Sequence, residues 1–149
     1  MYVDMKDRKI LIIGGGTIAA RRAGVLLDFE ADVTVLSPAF CQEMTDLTLR
    51  TEQLHLMEGL FEEQGELIME KERFFFVLAA TNQPEVNRDV VRVCHEIGIP
   101  VNTADDAGGC DFYFPAIIRK DDLVIGVASA GKSHKKVLRI AQKIRELEE

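Results

Sequence analysis

The stretch Lys9-Ile10-Leu11-Ile12-Ile13-Gly14-Gly15-Gly16-Thr17-Ile18-Ala19-Ala20 decides how this chain is read. Ile10 to Ile13 is a short unbroken apolar run, the pattern of a parallel strand covered on both faces. Three glycines follow at once, and a helical pattern then runs from Thr17 to about Leu27. The spacing Gly14-x-Gly16-x-x-Ala19 is a form of the dinucleotide fingerprint with alanine in the last small position. Gly14 permits the tight turn, Gly16 lets the backbone approach a pyrophosphate, and Ala19 lets helix and strand pack closely. The free N–H groups and the dipole at the helix start favour an anion. A glycine turn also occurs in α/β proteins that bind nothing there. Here a second strand, Asp32 to Leu36, completes a βαβ unit around it.

Working outward, the helix places Ile18, Ala19, Ala23, Leu26 and Leu27 on its packed side and turns Arg21 and Arg22 outward. The second strand does not end in the acid that commonly holds a ribose hydroxyl. It ends in Leu36-Ser37-Pro38-Ala39, with Ser37 placed to cap a helix whose first residue is Pro38. Adenosine then meets backbone and small side chains. No arginine waits for a 2′-phosphate, which favours NAD over NADP.

Phe40, Met44 and Leu47 fit one side of a short helix, and Leu54 to Met57 reads as a strand with His55 in or beside the sheet. Gly59 and Gly65 punctuate what reads as a polar surface stretch. Phe74 to Ala80 is a further buried strand, ended by Thr81-Asn82-Gln83-Pro84. Pro84 suits a first helical turn; Val86, Val90, Val93, Cys94 and Ile97 recur at helical spacing, and Gly98 terminates the element. Ile99-Pro100-Val101 begins the next strand and leads to Asp105 and Asp106. Open α/β sheets bind ligands at the carboxyl ends of their strands, where Gly14, Ser37, Thr81 and Asp105 all fall.

The remainder reads as two strands joined by a turn at Asp121-Asp122, then a helix capped by Ser133 with Val137, Ile140, Ala141, Ile144 and Leu147 on its apolar side. Such a tail has little core of its own and must pack on the first domain or on another subunit, the latter being preferred. The expected fold class is therefore α/β: a Rossmann-like parallel sheet over 1–113 and a strand-strand-helix dimerisation segment over 114–149.

Composition sets the outer bounds. A chain of 149 residues that is 47% hydrophobic suits one α/β unit with a small appendage. A net charge of −7 argues against nucleic acid as partner. No apolar run approaches the roughly 20 residues that span a bilayer, and the first residues lack a signal-peptide pattern. Cys41, Cys94 and Cys110 form no CxxC pair, which favours a reducing, cytoplasmic setting. Lys132, Lys135, Lys136, Arg139, Lys143 and Arg145 cluster without an acid among them, as a solvated face or as a seat for a polyanion.

Three stretches together carry a more specific signal: ILIIGGGTIAARRAGVLL, VLAATNQPEVNRDV and VNTADDAGGCDFYFPAIIRKDDLVIGVASAGKS. In this order they resemble the sirohaem-synthase family, and within it the precorrin-2 dehydrogenase module. The resemblance covers nearly the whole chain. Its signatures are Ala79-Ala80-Thr81, Asn87, Asn102 with Asp105, and Phe112 with Phe114-Pro115-Ala116. It implies NAD-dependent oxidation of precorrin-2 to sirohydrochlorin by a homodimer, with ferrous iron insertion in some relatives. By motif position it makes Asp105 the catalytic acid and pairs Thr17-Ile18 and Pro38-Ala39 with nucleotide. Ala80 and Thr81 join the cofactor set, and Asn102, Phe112, Phe114, Arg119, Ser129 and Lys132 the substrate set.

Two features depart from that pattern. Ser129-Ala130-Gly131-Lys132-Ser133-His134 carries His134 where the family has proline, and the chain ends at Glu149, where many relatives continue into a helical domain. The second departure weighs against iron insertion. No metal ligand set is assigned; His134 alone in a lysine-rich stretch reads as solvated.

Within this reading, Asp105 accepts or relays a proton. The neighbouring Asp106 and an apolar wall from Phe112 and Phe114 are expected to raise its pKa. Paired aspartates also simply initiate turns, as Gly108 allows. The substrate's eight carboxylates call for a local positive patch, with Arg119, Lys120, Lys132, Lys135 and Lys136 as candidates. Two other classes share the βαβ unit: an NAD-sensing dimeric regulatory domain and a non-catalytic scaffolding subunit.

Overall fold

A computed structural model describes residues 2–147. β1 (Lys9–Ile13) is buried from Ile10 onward and runs into the glycine turn. α1 (Thr17–Asp28) follows, then β2 (Asp32–Ser37), which pairs parallel to β1 with Ile10 opposite Val33 and Ile13 opposite Leu36. α2 (Gln42–Thr48), β3 (Leu54–Glu58), α3 (Phe61–Lys71), β4 (Phe76–Ala79), α4 (Pro84–Ile97) and β5 (Val101–Thr103) complete the first unit, which ends at Asp111. All five strands are parallel in the order β3-β2-β1-β4-β5. The order in which strands are added reverses between β1 and β4, so their carboxyl ends form the switch point where such sheets open a crevice.

Alternation along the strands feeds two cores. Leu11, Ile13, Leu36, Val77, Ala79 and Val101 pack with Phe61 and Met69 of α3 and Val86, Val90, Val93 and Cys94 of α4. Ile10, Ile12, Val33 and Val35 are fully buried on the opposite face, where α1 packs with α2. Pro84 opens α4, and Gly98 closes it in the left-handed conformation (φ 75°), as the helix start and stop signals imply.

Four expectations for the first unit need correction. Ser37 caps no helix: it is the last residue of β2, paired with Glu58, and α2 starts only at Gln42 after Cys41. The backbone stays in the ladder because Gly59 N–H still donates to the Ser37 carbonyl at 3.1 Å. The supposed surface stretch around Gly65 is α3, with Phe61, Gly65 and Met69 buried. Gly65 serves its packing, since a Cβ there would stand 2.1 Å from the Phe61 ring. Ile18 is 51% exposed rather than packed, because it sits on the turn of α1 that faces the crevice. Arg22 is half-buried rather than outward, and its burial lowers its pKa.

The second unit begins at Phe112. β6 (Ala116–Lys120) and β7 (Leu123–Val127) pair antiparallel across the Asp121-Asp122 turn, where Asp121 takes a positive φ of 50°. α5 (His134–Glu146) starts with Ser133 accepting from the Lys136 N–H at 3.3 Å, so His134 occupies the first helical position without disrupting it. Arg145 reaches the Ile117 carbonyl at 3.4 Å. Ile118 and Ala141 are this unit's buried apolar residues among those described, whereas Leu123, Val124 and Leu138 are exposed. Leu147, expected on the packed side, is 84% exposed just past the helix end.

Candidate functional site

The glycine turn and the ends of β2, β3 and β4 enclose a cleft of about 540 Å³. Gly14 to Ile18, Ser37 to Cys41, Gly59 to Glu62, and Ala80 to Gln83 line it. Each glycine of the turn has a distinct job. Gly14 adopts φ 121°, and a Cβ there would stand 2.3 Å from the Ala80 carbonyl oxygen. Gly15 is pressed against the β2 end: a Cβ would meet the Ala39 oxygen at 2.1 Å and Ser37 Oγ at 2.9 Å. Gly16 faces open space, with nothing within 4 Å of a built Cβ.

That open space lies at the start of α1, whose N-cap is Gly16, with no side-chain cap bond and no acid in the first turn. The first N–H groups of the helix therefore lack an internal partner and present the positive end of the dipole. These features fit the pyrophosphate of a dinucleotide. Glu62 is the charged side chain among the cleft's lining residues. Ser37, Pro38, Ala39, Ala80 and Thr81 thus share the cleft with Gly14, Gly16, Thr17 and Ile18.

Beside the cleft, the β4–α4 loop meets the loop after β5. Ala104 N–H donates to the Ala79 carbonyl at 2.9 Å. Asn87, only 1% exposed, reaches back from α4. Its Oδ1 accepts from the Thr81 N–H at 3.1 Å and from Thr81 Oγ1 at 2.7 Å, and its Nδ2 donates to the Thr81 carbonyl at 3.1 Å.

Asp105 is exposed two residues past β5 and is not among the cleft's lining residues. The loop that carries it is tied to the end of β4 by the Ala104 N–H to Ala79 carbonyl bond, and the Asn87 amide is among the groups that act on its carboxyl. The expected raised pKa is corrected here: the Asp105 carboxyl is held below its ordinary value. Burial pushes it up, but hydrogen bonds from Thr103 Oγ1, Asn87 and its own backbone, with the nearby Arg88 guanidinium, together outweigh that push. Asp106, by contrast, does turn work: its Oδ1 accepts from the Gly108 N–H at 2.9 Å and opens the short 3₁₀ turn at Ala107–Gly109.

The remaining expected site residues have other settings. Asn102 is buried and its Nδ2 lies 3.3 Å from Cys110 Sγ. Cys110 Sγ also lies within 3.4 Å of Thr103 N, Thr103 O and Asp106 O, which ties the loop bearing Asp105 to β5. In the second unit, the Phe112 and Phe114 rings tilt against each other at 5.7 Å. Ser129 Oγ accepts from the Ser133 N–H at 2.9 Å, Lys132 N–H donates to the Ser129 carbonyl at 3.0 Å, and the Lys132 side chain is exposed like that of Arg119.

Sequence reasoning treated position 15 as a free letter of the fingerprint and gave Asn87 no task. A buried asparagine on an otherwise apolar helix face was the available signal for the second.

The strand order, the crevice at the switch point and the uncapped helix start define a dinucleotide-binding protein of the Rossmann class. Comparison with known proteins agrees: the family described as "Putative NAD(P)-binding" matches residues 1–116, and the chain belongs to it. It is 36% identical over 148 residues to a Ruminiclostridium josui protein described as "Probable multifunctional siroheme biosynthesis protein HemA". It is 35% identical over 133 residues to the siroheme synthase of Thioalkalivibrio sulfidiphilus. These alignments cover 99% and 89% of this chain but only 28% and 26% of the relatives. The chain thus spans about a quarter of the length of the curated relatives it matches. Among solved structures, SirC, a precorrin-2 dehydrogenase, superposes with a TM-score of 0.74 at 26% identity. That superposition covers 99% of this chain and 69% of SirC. Among the described residues, no helix is long and apolar enough to cross a membrane.

Proposed function

We propose that this chain oxidises precorrin-2 to sirohydrochlorin with NAD as hydride acceptor. The observation that carries the reading is that the glycine cradle and Asp105 occupy the same strand-end edge of one sheet, where the Ala104 N–H to Ala79 carbonyl bond ties the loop bearing Asp105 to the β4 end that also lines the cleft. The likeness of 99% of the chain to a precorrin-2 dehydrogenase supplies the substrate class.

NAD would accept the hydride from the tetrapyrrole. The protein's part is orientation and proton handling. The start of α1 would hold the pyrophosphate, Ser37, Pro38 and Ala39 would shape the adenosine side, and the Thr81 loop would border the end nearer Asp105. Oxidation of the ring releases a proton along with the hydride. Asp105, kept ionised, is the acceptor at its carboxylate oxygens, and the same negative charge stabilises the cationic character that develops as hydride leaves.

The second unit contributes a basic surface from Lys132, Lys135 and Lys136, suited to a substrate that carries several carboxylates. Its few buried apolar residues and its exposed Leu123, Val124 and Leu138 support a role in pairing two copies of the chain. A cytoplasmic setting belongs to the same reading and is supported by the three free cysteines.

The deciding experiment combines protein, NAD and precorrin-2 under anaerobic conditions and follows the sirohydrochlorin and NADH spectra, with and without ferrous iron. Turnover by the parent and its loss in Asp105→Ala, with NAD affinity retained, is expected. Asp105→Ala working at the parent rate would remove the carboxylate from the mechanism. Nucleotide binding without any turnover would favour the sensing domain instead.

A further inference from the structure

β5 is the last strand in the order of its sheet, so one of its sides has no strand to pair with. The chain covers that side by returning past it at Cys110 and Asp111. The Asp111 N–H donates to the Val101 carbonyl at 2.8 Å, and the Asp111 Oδ2 accepts from the Val101 N–H at 2.9 Å. Two residues further along β5 the same side of the backbone recurs. There Cys110 Sγ lies 3.3 Å from the Thr103 nitrogen and 3.3 Å from the Thr103 carbonyl oxygen. A thiol can both donate and accept, so one sulfur serves both groups. On its other side Thr103 pairs with Ala79 of β4. Its backbone is therefore gripped from both edges.

The side chain of Thr103 is only 7% exposed, and its two branches have separate settings. The methyl group lies toward Gly109, where a built Cβ would stand 3.3 Å from it. The hydroxyl donates to Asp105 Oδ1. Branching at Cβ leaves few rotamers, so a fixed backbone and a seated methyl also fix where the hydroxyl points. Resting on the proposed reaction, we infer that Thr103 and Cys110 are positioning residues for Asp105: the thiol clamps the Thr103 backbone at the open edge of the sheet, and the Thr103 hydroxyl holds the exposed carboxylate in one orientation. Cys110 thus acts on the acid without touching it, through bonds to the residue that does. The Asn87 amide, the Asp105 backbone and the Arg88 guanidinium of α4 also act on this carboxyl. Asp106 is the adjacent charge, engaged with the Gly108 N–H, and His95 of α4 lies 3.3 Å from Asp111 at the base of the loop.

Titration of the ¹³C-labelled Asp105 carboxyl by NMR reads the effect with no turnover required. Thr103→Val keeps the shape and removes the donor to the ionised form, so the midpoint should rise by about half a pH unit or more. Cys110→Ala should raise it by a smaller step, and Thr103→Ser, which keeps a hydroxyl, should stay nearer the parent than Thr103→Val. In turnover, kcat for precorrin-2 should fall about tenfold in Thr103→Val and about threefold in Cys110→Ala, with NAD affinity held. A merely structural pair would lower the melting temperature and leave the midpoint in place. A parent midpoint in either Thr103→Val or Cys110→Ala would overturn the inference, and so would midpoints that move while kcat stays at the parent value. Should Cys110→Ala fail to fold, Cys110→Ser, whose shorter side chain draws the polar atom back from Thr103, decides the same point. Midpoints that move in a protein that does not oxidise precorrin-2 would uphold the clamp and discard the proposed reaction.

Discussion

Gly15 and Ala39 compete for one space: a Cβ on Gly15 would stand 2.1 Å from the Ala39 carbonyl oxygen. The contact is locked from the other side, because Cys41 N–H donates to the Gly15 carbonyl at 2.8 Å. The turn after β1 and the loop after β2 are thus one fitted piece, and its close packing shapes that side of the cleft.

Two neighbouring glycines should therefore fail in different ways. Gly15→Ala must displace backbone, and a cost of about 1–3 kcal/mol in stability is expected from overpacking. Gly16→Ala meets nothing in the protein, so its melting temperature should stay near the parent's. Its methyl group instead projects into the space beside the helix start, and NAD affinity should fall roughly tenfold or more, about 1.4 kcal/mol. Thermal melts alongside NAD titrations of both variants check the contrast.

Cofactor choice should follow the charge of the cleft. Its lining offers Glu62 and no cation, so the 2′-phosphate of NADP meets repulsion without compensation. NADP should bind about tenfold or more weakly than NAD, and Glu62→Lys should close most of that gap while leaving NAD affinity within a few-fold. Paired titrations with the two nucleotides measure it.

Cys94 is fully buried between α4 and Met69 of α3, and burial, with Asp111 nearby, pushes its thiol up to about 12. The folded state then keeps a proton that the unfolded chain loses near its ordinary value of 9.0. The associated stability is fully present below pH 9 and is lost as pH rises toward 12, with a slope of roughly 1.4 kcal/mol per pH unit. Denaturant melts between pH 8 and 11 should show that decline, and Cys94→Ala should flatten it. In the native protein at pH 8, alkylation should spare Cys94 and modify it only after unfolding.

Asp105 titrates in the opposite sense. Because its folded pKa lies below the ordinary carboxylate value, its hydrogen bonds favour the folded state above that value and are lost as pH falls through the lowered one. Activity should consequently have no Asp105-dependent acid limb in the neutral range, and its pH profile should stay level down to the ordinary carboxylate range.

Substrate binding, as distinct from NAD binding, should respond to salt through the exposed lysines at the start of α5. Replacing Lys132, Lys135 and Lys136 together by alanine should raise KM for the tetrapyrrole about tenfold and flatten its dependence on ionic strength. NAD affinity should not change. Steady-state kinetics across a salt series tests both halves.

Much of the architecture was written in local patterns. The run Ile10 to Ile13, the glycines after it, Pro84 and Gly98 around α4, and Ser133 ahead of α5 each act within a few residues, so their effects follow from the letters. The α3 helix did not announce itself. Its buried stripe is only Phe61, Gly65 and Met69 among glutamates, and Gly65 reads as a breaker until the Phe61 ring is seen lying on it. Ile18 was misplaced for a related reason: apolar spacing cannot tell a core contact from the wall of a ligand cleft.

Sequence by itself determined the βαβ start, the order of the elements other than α3 and the family resemblance, because these rest on backbone propensity and on spacing along the chain. Only the tertiary structure decided that Gly15 is as constrained as Gly14, that Ser37 ends a strand instead of starting a helix, and that the Asp105 carboxyl is lowered. Each of those depends on a group distant in sequence: Ala39 against Gly15, Glu58 beside Ser37, and Asn87 with Arg88 near Asp105. A hydrogen bond between such groups has no periodicity to reveal it, and it exists only once the sheet has brought the strand ends together.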